Sequence, residues 1–293
     1  MDAIAHKIKE QMKVQTLIDT SIEIIHAAFI DAFSEYEVKI DMPLEKLEEM
    51  LLTRDYDPSL SLGCFEKGAL IGFVLSGYRE IERSMYGYDT GTGVIKAYQN
   101  RHIGSLLIER LLEVIKKRRI EHYVLEVIEN NDPAIKLYEK YGFVIKRRLR
   151  CYRKDLETRQ NNTIGYTKTG DASVIEGIEE DTYISFRPSW QNSLRAYRNN
   201  QDKYYFEGYE DEGRLIGYGI IHKERGDILQ VGVEKGYRGI GIEEMIISDI
   251  ARAVKKERVT LLNIEDKSNL QKELEKNGYD NYVNQYEMWY SNP

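Results

Sequence analysis

The sequence predicts an α/β protein of two similar domains, each a sheet layered with helices. Three observations predict it. At 293 residues the chain is long for one hydrophobic core and suits two domains of ordinary size. Segments recur in the same order in the two halves. Apolar runs with strand character alternate with runs at helical spacing, the pattern of helices packed on a sheet. With 42% hydrophobic and 31% charged residues, the chain can bury its cores, unlike an intrinsically disordered sequence.

The recurrence is specific in order and loose in detail. Phe65-Glu-Lys-Gly-Ala-Leu-Ile-Gly-Phe-Val returns as Tyr209-Glu-Asp-Glu-Gly-Arg-Leu-Ile-Gly-Tyr, each a strand, a Gly turn and a second strand. Glu139-Lys-Tyr-Gly-Phe returns as Glu275-Lys-Asn-Gly-Tyr. Ile71 and Ile216 lie 145 positions apart, and Gly142 and Gly278 lie 136 apart, as in two copies of one domain differing by small insertions. The expected division is 1–156, a linker at 157–163 within the polar stretch Lys154–Thr163, and 164–293.

The elements follow in order. Ile18, Ile22, Ile25 and Phe29 predict a helix over 14–30; Leu44, Leu47 and Leu51 predict another over 43–53. The hairpin comes next, and Val94-Ile95 ends a further strand. Tyr98-Gln-Asn-Arg-His-Ile-Gly104 then turns into a helix striped by Leu107, Leu111 and Val114, with Lys116, Lys117, Arg118 and Arg119 at its negative end. A strand over 123–128 precedes a short helix, with Asp132 as expected N-cap, Pro133 in the first turn and Gly142 as terminator.

Composition excludes several classes. A net charge of −7 and no basic stripe argue against nucleic acid as the main partner. No apolar run reaches the roughly 18–20 residues of a membrane span. The charged start Met1-Asp-Ala-Ile-Ala-His-Lys carries no export signal. Cys64 and Cys151 form no disulfide framework, which suits a reducing cytosol, and neither has a His base near it in sequence. The five histidines form no ligand pair, so no metal is expected.

Chemistry concentrates between 88 and 155. The turn at 99–104 opens a helix, where free backbone N–H groups make an anion site; alone, it reads equally as an ordinary strand–helix turn. Glu126 stands on an otherwise apolar strand, and Tyr138 shares one side of its helix with Ala134 and Leu137. Alone, each also reads as a structural residue.

Taken together, the strand, the Gln-x-x-x-x-Gly turn, the amphipathic helix, Leu125-Glu-Val127, Asn131-x-x-Ala134 and Leu137-Tyr-Glu-Lys-x-Gly-Phe143 resemble the GNAT superfamily of acyl-CoA-dependent N-acetyltransferases. The likeness covers 14–155, with a weaker version over 164–290. It implies two GNAT-like domains, each a mixed, mostly antiparallel twisted sheet flanked by helices. It implies acetyl-CoA as co-substrate, gripped by Gln99, Asn100, Arg101, His102, Ile103, Gly104 and Ser105. Thr92, Gly93 and Val94 would lie along the pantetheine arm, and Asn131 would contact that arm or order the splayed strands. Tyr138 matches the tyrosine that protonates the departing thiolate, and Glu126 the glutamate that deprotonates the amine. The acceptor implied is a small-molecule or peptide amine. His102 stands where the family has Gly, which places the loop's geometry in question.

In the second half, Val231-Gly-Val-Glu-Lys-Gly-Tyr-Arg-Gly-Ile-Gly241 resembles the same strand and loop, two residues shorter when measured from Tyr237. At the 136-residue offset Leu274 replaces Tyr138 and Lys267 replaces Asn131. The second copy therefore reads as degenerate, with Arg238, Gly239 and Gly241 as a vestigial site or a plain turn. Glu35, Glu37 and Asp41 are read as attracting a cationic amine, against an ordinary solvated loop. A non-catalytic acyl-CoA-binding or protein-interaction module on the same fold is the competing reading.

Overall fold

A computed structural model describes residues 12–34, 42–156, 166–170 and 172–292. The proposed linker 157–163, and Glu35, Glu37 and Asp41, lie outside the described residues. The chain forms two compact units, one of Met1–Lys146 with Glu287–Pro293 and the other of Arg147–Tyr286. The expected boundary at 156 thus gives way to one at 146/147. The last seven residues join the first unit.

The first unit contains β1 (Met12–Thr16), α1 (Ile22–Ala32), α2 (Leu44–Thr53), β2 (Leu62–Glu66), β3 (Ala69–Ile81), β4 (Ser84–Val94), α3 (Ile103–Arg118), β5 (His122–Ile128) and α4 (Asp132–Lys140). Its sheet runs β1-β2-β3-β4-β5, antiparallel except for the parallel pair β4–β5. Asn292 donates its N–H to the Glu121 carbonyl at 2.9 Å just before β5. The helix expected over 14–30 is a strand and then a shorter helix. Residues 12–16 alternate in burial and pair with β2 from Met12–Glu66 to Thr16–Leu62, so a two-residue period governs them. Ile18, counted in the helical stripe, is 57% exposed.

Two apolar layers clamp the sheet. Phe29 of α1 stacks on Phe73 at 5.9 Å, with Ile25, Leu47, Leu51 and Leu75 buried around them. On the other face, Ile103 and Leu107 of α3 press so close to Gly72 that an added Cβ would lie 2.9 Å from Ile103. Adjacent strand residues point to opposite faces, so Gly72 and Phe73 fix which layer each helix joins. The β2–β3 turn places Lys67 and Gly68 at φ 50° and 85°, the two-residue hairpin with both central residues left-handed.

The second unit holds most of β6 (Val144–Asp155), then β7 (Thr167–Thr169), α5 (Glu180–Tyr183), α6 (Leu194–Asn199), β8 (Tyr204–Asp211), β9 (Arg214–His222), β10 (Asp227–Val233), α7 (Ile242–Ala253), β11 (Arg258–Glu265), α8 (Asn269–Lys276) and the start of β12 (Asp280–Ser291). Lys154 and Asp155, read as the start of a linker, end β6 and pair with β11. The order β7-β8-β9-β10-β11 repeats the first unit's directions, with β10–β11 parallel. Its hairpin turn places Glu212 and Gly213 at φ 50° and 80°. Gly142 and Gly278 close α4 and α8 in the same way. The N–H of Gly142 and Phe143 bond Glu139 and Tyr138 carbonyls, and those of Gly278 and Tyr279 bond Glu275 and Leu274. This is the six-residue C-terminal motif that a left-handed Gly permits.

Candidate active site

In the first unit β4 and β5 part company. β4 stays paired with β3 as far as Val94–Gly72, but with β5 only from Tyr86–His122 to Tyr88–Val124. Between Leu75–Gly91 and Ser76–Asp89 the β3–β4 register slips by one, leaving Thr90 as the extra residue of a β-bulge. The bulge bends β4 away from β5 and opens a wedge whose β4 edge, 89–94, lacks a ladder partner on that side. Thr92, Gly93 and Val94 lie along this edge. The Thr90 Oγ1 is buried without a hydrogen-bond partner.

At one end of the wedge stands the loop into α3. Lys96–Tyr98 make a 3-10 turn tied to α1 by the Lys96 N–H on Asp31 Oδ1 at 2.6 Å. Asn100 and His102 both take left-handed φ of 62°. Histidine thus adopts the backbone shape for which the family pattern has Gly, at the modest strain a non-Gly residue pays there. His102 makes no side-chain cap, and the first turn of α3 closes from the Leu106 N–H to the His102 carbonyl. The N–H groups of Ile103, Gly104 and Ser105 precede it and lack carbonyls of their own turn. Gly104 is needed for packing: an added Cβ would lie 3.2 Å from Leu137 of α4. Gln99 folds back onto the Val94 carbonyl at 3.2 Å, and Arg101 lies 4.8 Å over the Tyr98 ring.

The other end carries titratable groups on both faces. Tyr138 of α4 is buried, its ring 5.5 Å from Phe143, which in turn meets Tyr123 at 6.3 Å. Its hydroxyl donates to Asp89 Oδ2 at 3.4 Å. Glu126 alternates with Leu125 and Val127, so it faces away from Tyr123 and the α4 layer. The Tyr88 hydroxyl donates to Glu126 Oε2. Burial, chiefly, pushes the Tyr88 phenol well above its ordinary range, reinforced by the Glu126 charge. Burial also raises Asp89 to about 6, against the hydrogen bonds from Thr92, Gly91 and Tyr138 and the Arg54 charge. Glu126 and Tyr138 thus flank the wedge from opposite faces, one acceptor and one donor. Asn131 caps α4 by accepting the Ala134 N–H at 3.2 Å, the place expected for Asp132; its amide oxygen serves the helix rather than the wedge. Cys64 is buried, its thiol pushed up to about 11, chiefly by desolvation, so it is no nucleophile.

Sequence reading missed Asp89, Tyr88 and the bulge. The available signal for Asp89 was its spacing to Gly91 and Thr92, which lets a carboxylate bond its own turn.

The second unit repeats the frame without the chemistry. β10 pairs with β11 only at Asp227–Thr260 and Ile228–Leu261, and Leu229 is the bulge residue. Matching these registers places Ile228 at Asp89, Leu262 at Glu126 and, through the shared helix end, Leu274 at Tyr138. Ser268 caps α8, so Ser268 rather than Lys267 replaces Asn131. The loop is not shorter: Tyr98 to His102 and Tyr237 to Gly241 each end at the left-handed residue before the helix. This alignment sets Glu243 at Gly104. Its carboxylate is buried and accepts the Gly239 N–H at 3.3 Å. An acidic side chain therefore occupies one backbone donor of that loop.

The family model for the acetyltransferase (GNAT) family matches residues 23–143, which span the wedge, the loop and both flanking groups. Over these residues the chain is similar to the GNAT acetyltransferases. Among curated relatives, N-alpha-acetyltransferase 30 of Dictyostelium discoideum is 35% identical over 96 residues, 32% of this chain and 52% of that protein. The L-amino acid N-acetyltransferase AaaT of Escherichia coli is 31% identical over 80 residues, 27% of this chain and 49% of that protein. The chain spans about half the length of the curated relatives it matches. A tandem GNAT protein from the clavulanic acid biosynthesis pathway superposes with a TM-score of 0.69 at 14% identity, covering 96% of this chain and 99% of that one. A GCN5-related N-acetyltransferase from Sphaerobacter thermophilus does so at 0.71 and 14%, covering 96% of both chains. At such identity these two speak for the tandem GNAT fold. Among the described residues no cluster of His, Cys, Asp and Glu could hold a metal ion, and no helix is long and apolar enough to cross a membrane.

Proposed function

We propose that the first GNAT unit transfers an acetyl group from acetyl-CoA to a primary amine by direct attack. The observation that carries this reading is the wedge between β4 and β5 with Glu126 on one face and Tyr138 on the other. The residues fit the co-substrate: the N–H groups of 103–105 and the left-handed Asn100 and His102 suit a diphosphate, and the open edge 89–94 suits an extended amide-bearing arm. The co-substrate supplies an activated thioester. Glu126, held by Tyr88, takes the ammonium proton, directly or through water, because a protonated amine has no lone pair to attack with. A backbone N–H of β4 meets the oxygen charge. Tyr138 gives its proton to the sulfur as the C–S bond breaks.

The left-handed His102 removes the main reason for preferring a non-catalytic binding module. The relatives' names, an N-alpha-acetyltransferase and an L-amino acid N-acetyltransferase, fit a small-molecule or peptide acceptor. The two buried cysteines, joined by no disulfide, suit a cytosolic setting. Glu243 in the second unit supports one acetyl-CoA per chain, since a carboxylate at the loop repels a diphosphate. The test is free-thiol release from acetyl-CoA with a panel of amino acids, peptides, polyamines and aminoglycosides. Release with one class and not with buffer alone supports the reading; no release with any class, alongside unaltered coenzyme binding, supports the binding module.

A further inference from the structure

We propose that Asp89 is a positioning residue that sets the direction in which the Tyr138 phenol proton points. The inference rests on the acetyl-transfer reading for its purpose, but on local geometry for its content. Asp89 Oδ1 accepts the Gly91 N–H at 2.8 Å, and Oδ2 accepts the Thr92 hydroxyl at 2.6 Å and the Tyr138 hydroxyl at 3.4 Å. The first two bonds close within the bulge itself, so the carboxylate is fixed to β4 where the strands part. The third reaches across to α4. With Asp89 8% exposed, little water competes for these oxygens.

An ionised carboxylate only accepts hydrogen bonds, so it draws the phenol proton toward itself and away from the wedge. A protonated carboxyl must donate. Its proton on Oδ2 then faces two hydroxyls, of which Tyr138 makes the longer and weaker bond. The phenol turns to accept from Asp89, and its own proton points into the wedge. In that state, as the C–S bond breaks and its electron pair stays on sulfur, the Tyr138 proton moves to sulfur and the Asp89 proton to the phenol oxygen. Asp89 is left ionised and regains its proton from solvent before the next turnover.

The charged and titratable groups around Asp89 are Tyr138 from α4, Tyr123 from β5 (its hydroxyl 2.6 Å from Ser76 Oγ), Tyr88 next to it in sequence but on the opposite face of β4, and Arg54, which follows α2 and donates to the Thr90 carbonyl at 3.0 Å. Arg54 favours the ionised form and burial the neutral one. Burial prevails, with the carboxyl raised to about 6.

The experiment follows Tyr138 by NMR in the full chain labelled with [13Cζ]tyrosine, its signal assigned by absence in Tyr138→Phe. In the ligand-free protein the expected result is a step in that signal with a midpoint near 6, missing in Asp89→Asn, whose amide donates at every pH. No step in the wild type, or the same step in Asp89→Asn, overturns the proposal. Thiol release with the best amine supplies the second readout. The wild-type kcat should fall on the alkaline side of a midpoint at or above about 6, and Asp89→Asn should lack that fall with an unchanged acetyl-CoA KM. An identical fall in the variant also overturns it. A clear NMR step in a chain that releases no thiol would overturn the acetyl-transfer reading and leave the Asp89–Tyr138 coupling standing.

Discussion

Replacing Asp89 with Asn should make the first unit more stable at neutral pH than at acid pH, relative to the wild type. The carboxyl is raised from 3.8 to about 6 by burial, so the folded unit binds its proton more tightly than the unfolded chain. A raised carboxyl stabilises fully below 3.8, and that stability is lost as pH rises through about 6. A rise from 3.8 to about 6, at about 1.4 kcal/mol per pH unit, amounts to about 3 kcal/mol across the window. The Asp89→Asn variant has no proton to lose, so its stability relative to the wild type should rise by that amount between about pH 4 and 7. The pH-independent part of the substitution cancels in the slope. The two tryptophans supply a unit-specific assay: Trp289, packed 5.5 Å from His122 and 6.1 Å from Tyr86, reports the first unit, whereas Trp190 belongs to the second. In a Trp190→Phe background, urea transitions followed by Trp289 emission isolate the first unit from a second that need not unfold with it. A stability difference constant with pH would show that burial does not raise this carboxyl.

Three further outcomes are expected. Tyr138→Phe should lower kcat by about 10²–10⁴-fold, the usual loss with a general acid, with little change in acetyl-CoA KM; steady-state thiol release checks it. Glu126→Gln should remove the alkaline-rising limb of the rate profile, because the amine's proton then has no fixed acceptor; an unchanged limb would assign Glu126 to structure. His102→Val should weaken coenzyme binding by about tenfold or more in calorimetry, since a β-branched residue resists the left-handed φ of 62° that opens the loop.

The sequence carries the frame of each unit because its signals are local. The hairpin glycines, the helix-ending Gly142 and Gly278 and the stripe of α3 each need only their neighbours to be recognised. Glu126 and Tyr138 stand out as a charge in an apolar strand and a phenol at a fixed distance from a terminating Gly. What the sequence hides is non-local. Residues 12–16 are a strand because β2 pairs with them, while their apolar spacing runs on into a helix. The bulge at Thr90 shifts the face of every residue before it, so Asp89 could not be aimed at Tyr138 from alternation alone. Counting the second loop from Gly104 rather than His102 misplaces two residues, and so conceals Glu243, whose carboxylate reaches back into that loop from the first turn of α7.

Hydrogen exchange on the full chain with and without coenzyme A decides where the nucleotide lies. New protection is expected over 89–94 and 99–105, with unchanged exchange over 228–243. Protection over 228–243 instead, or none along the open edge of β4, would overturn that placement.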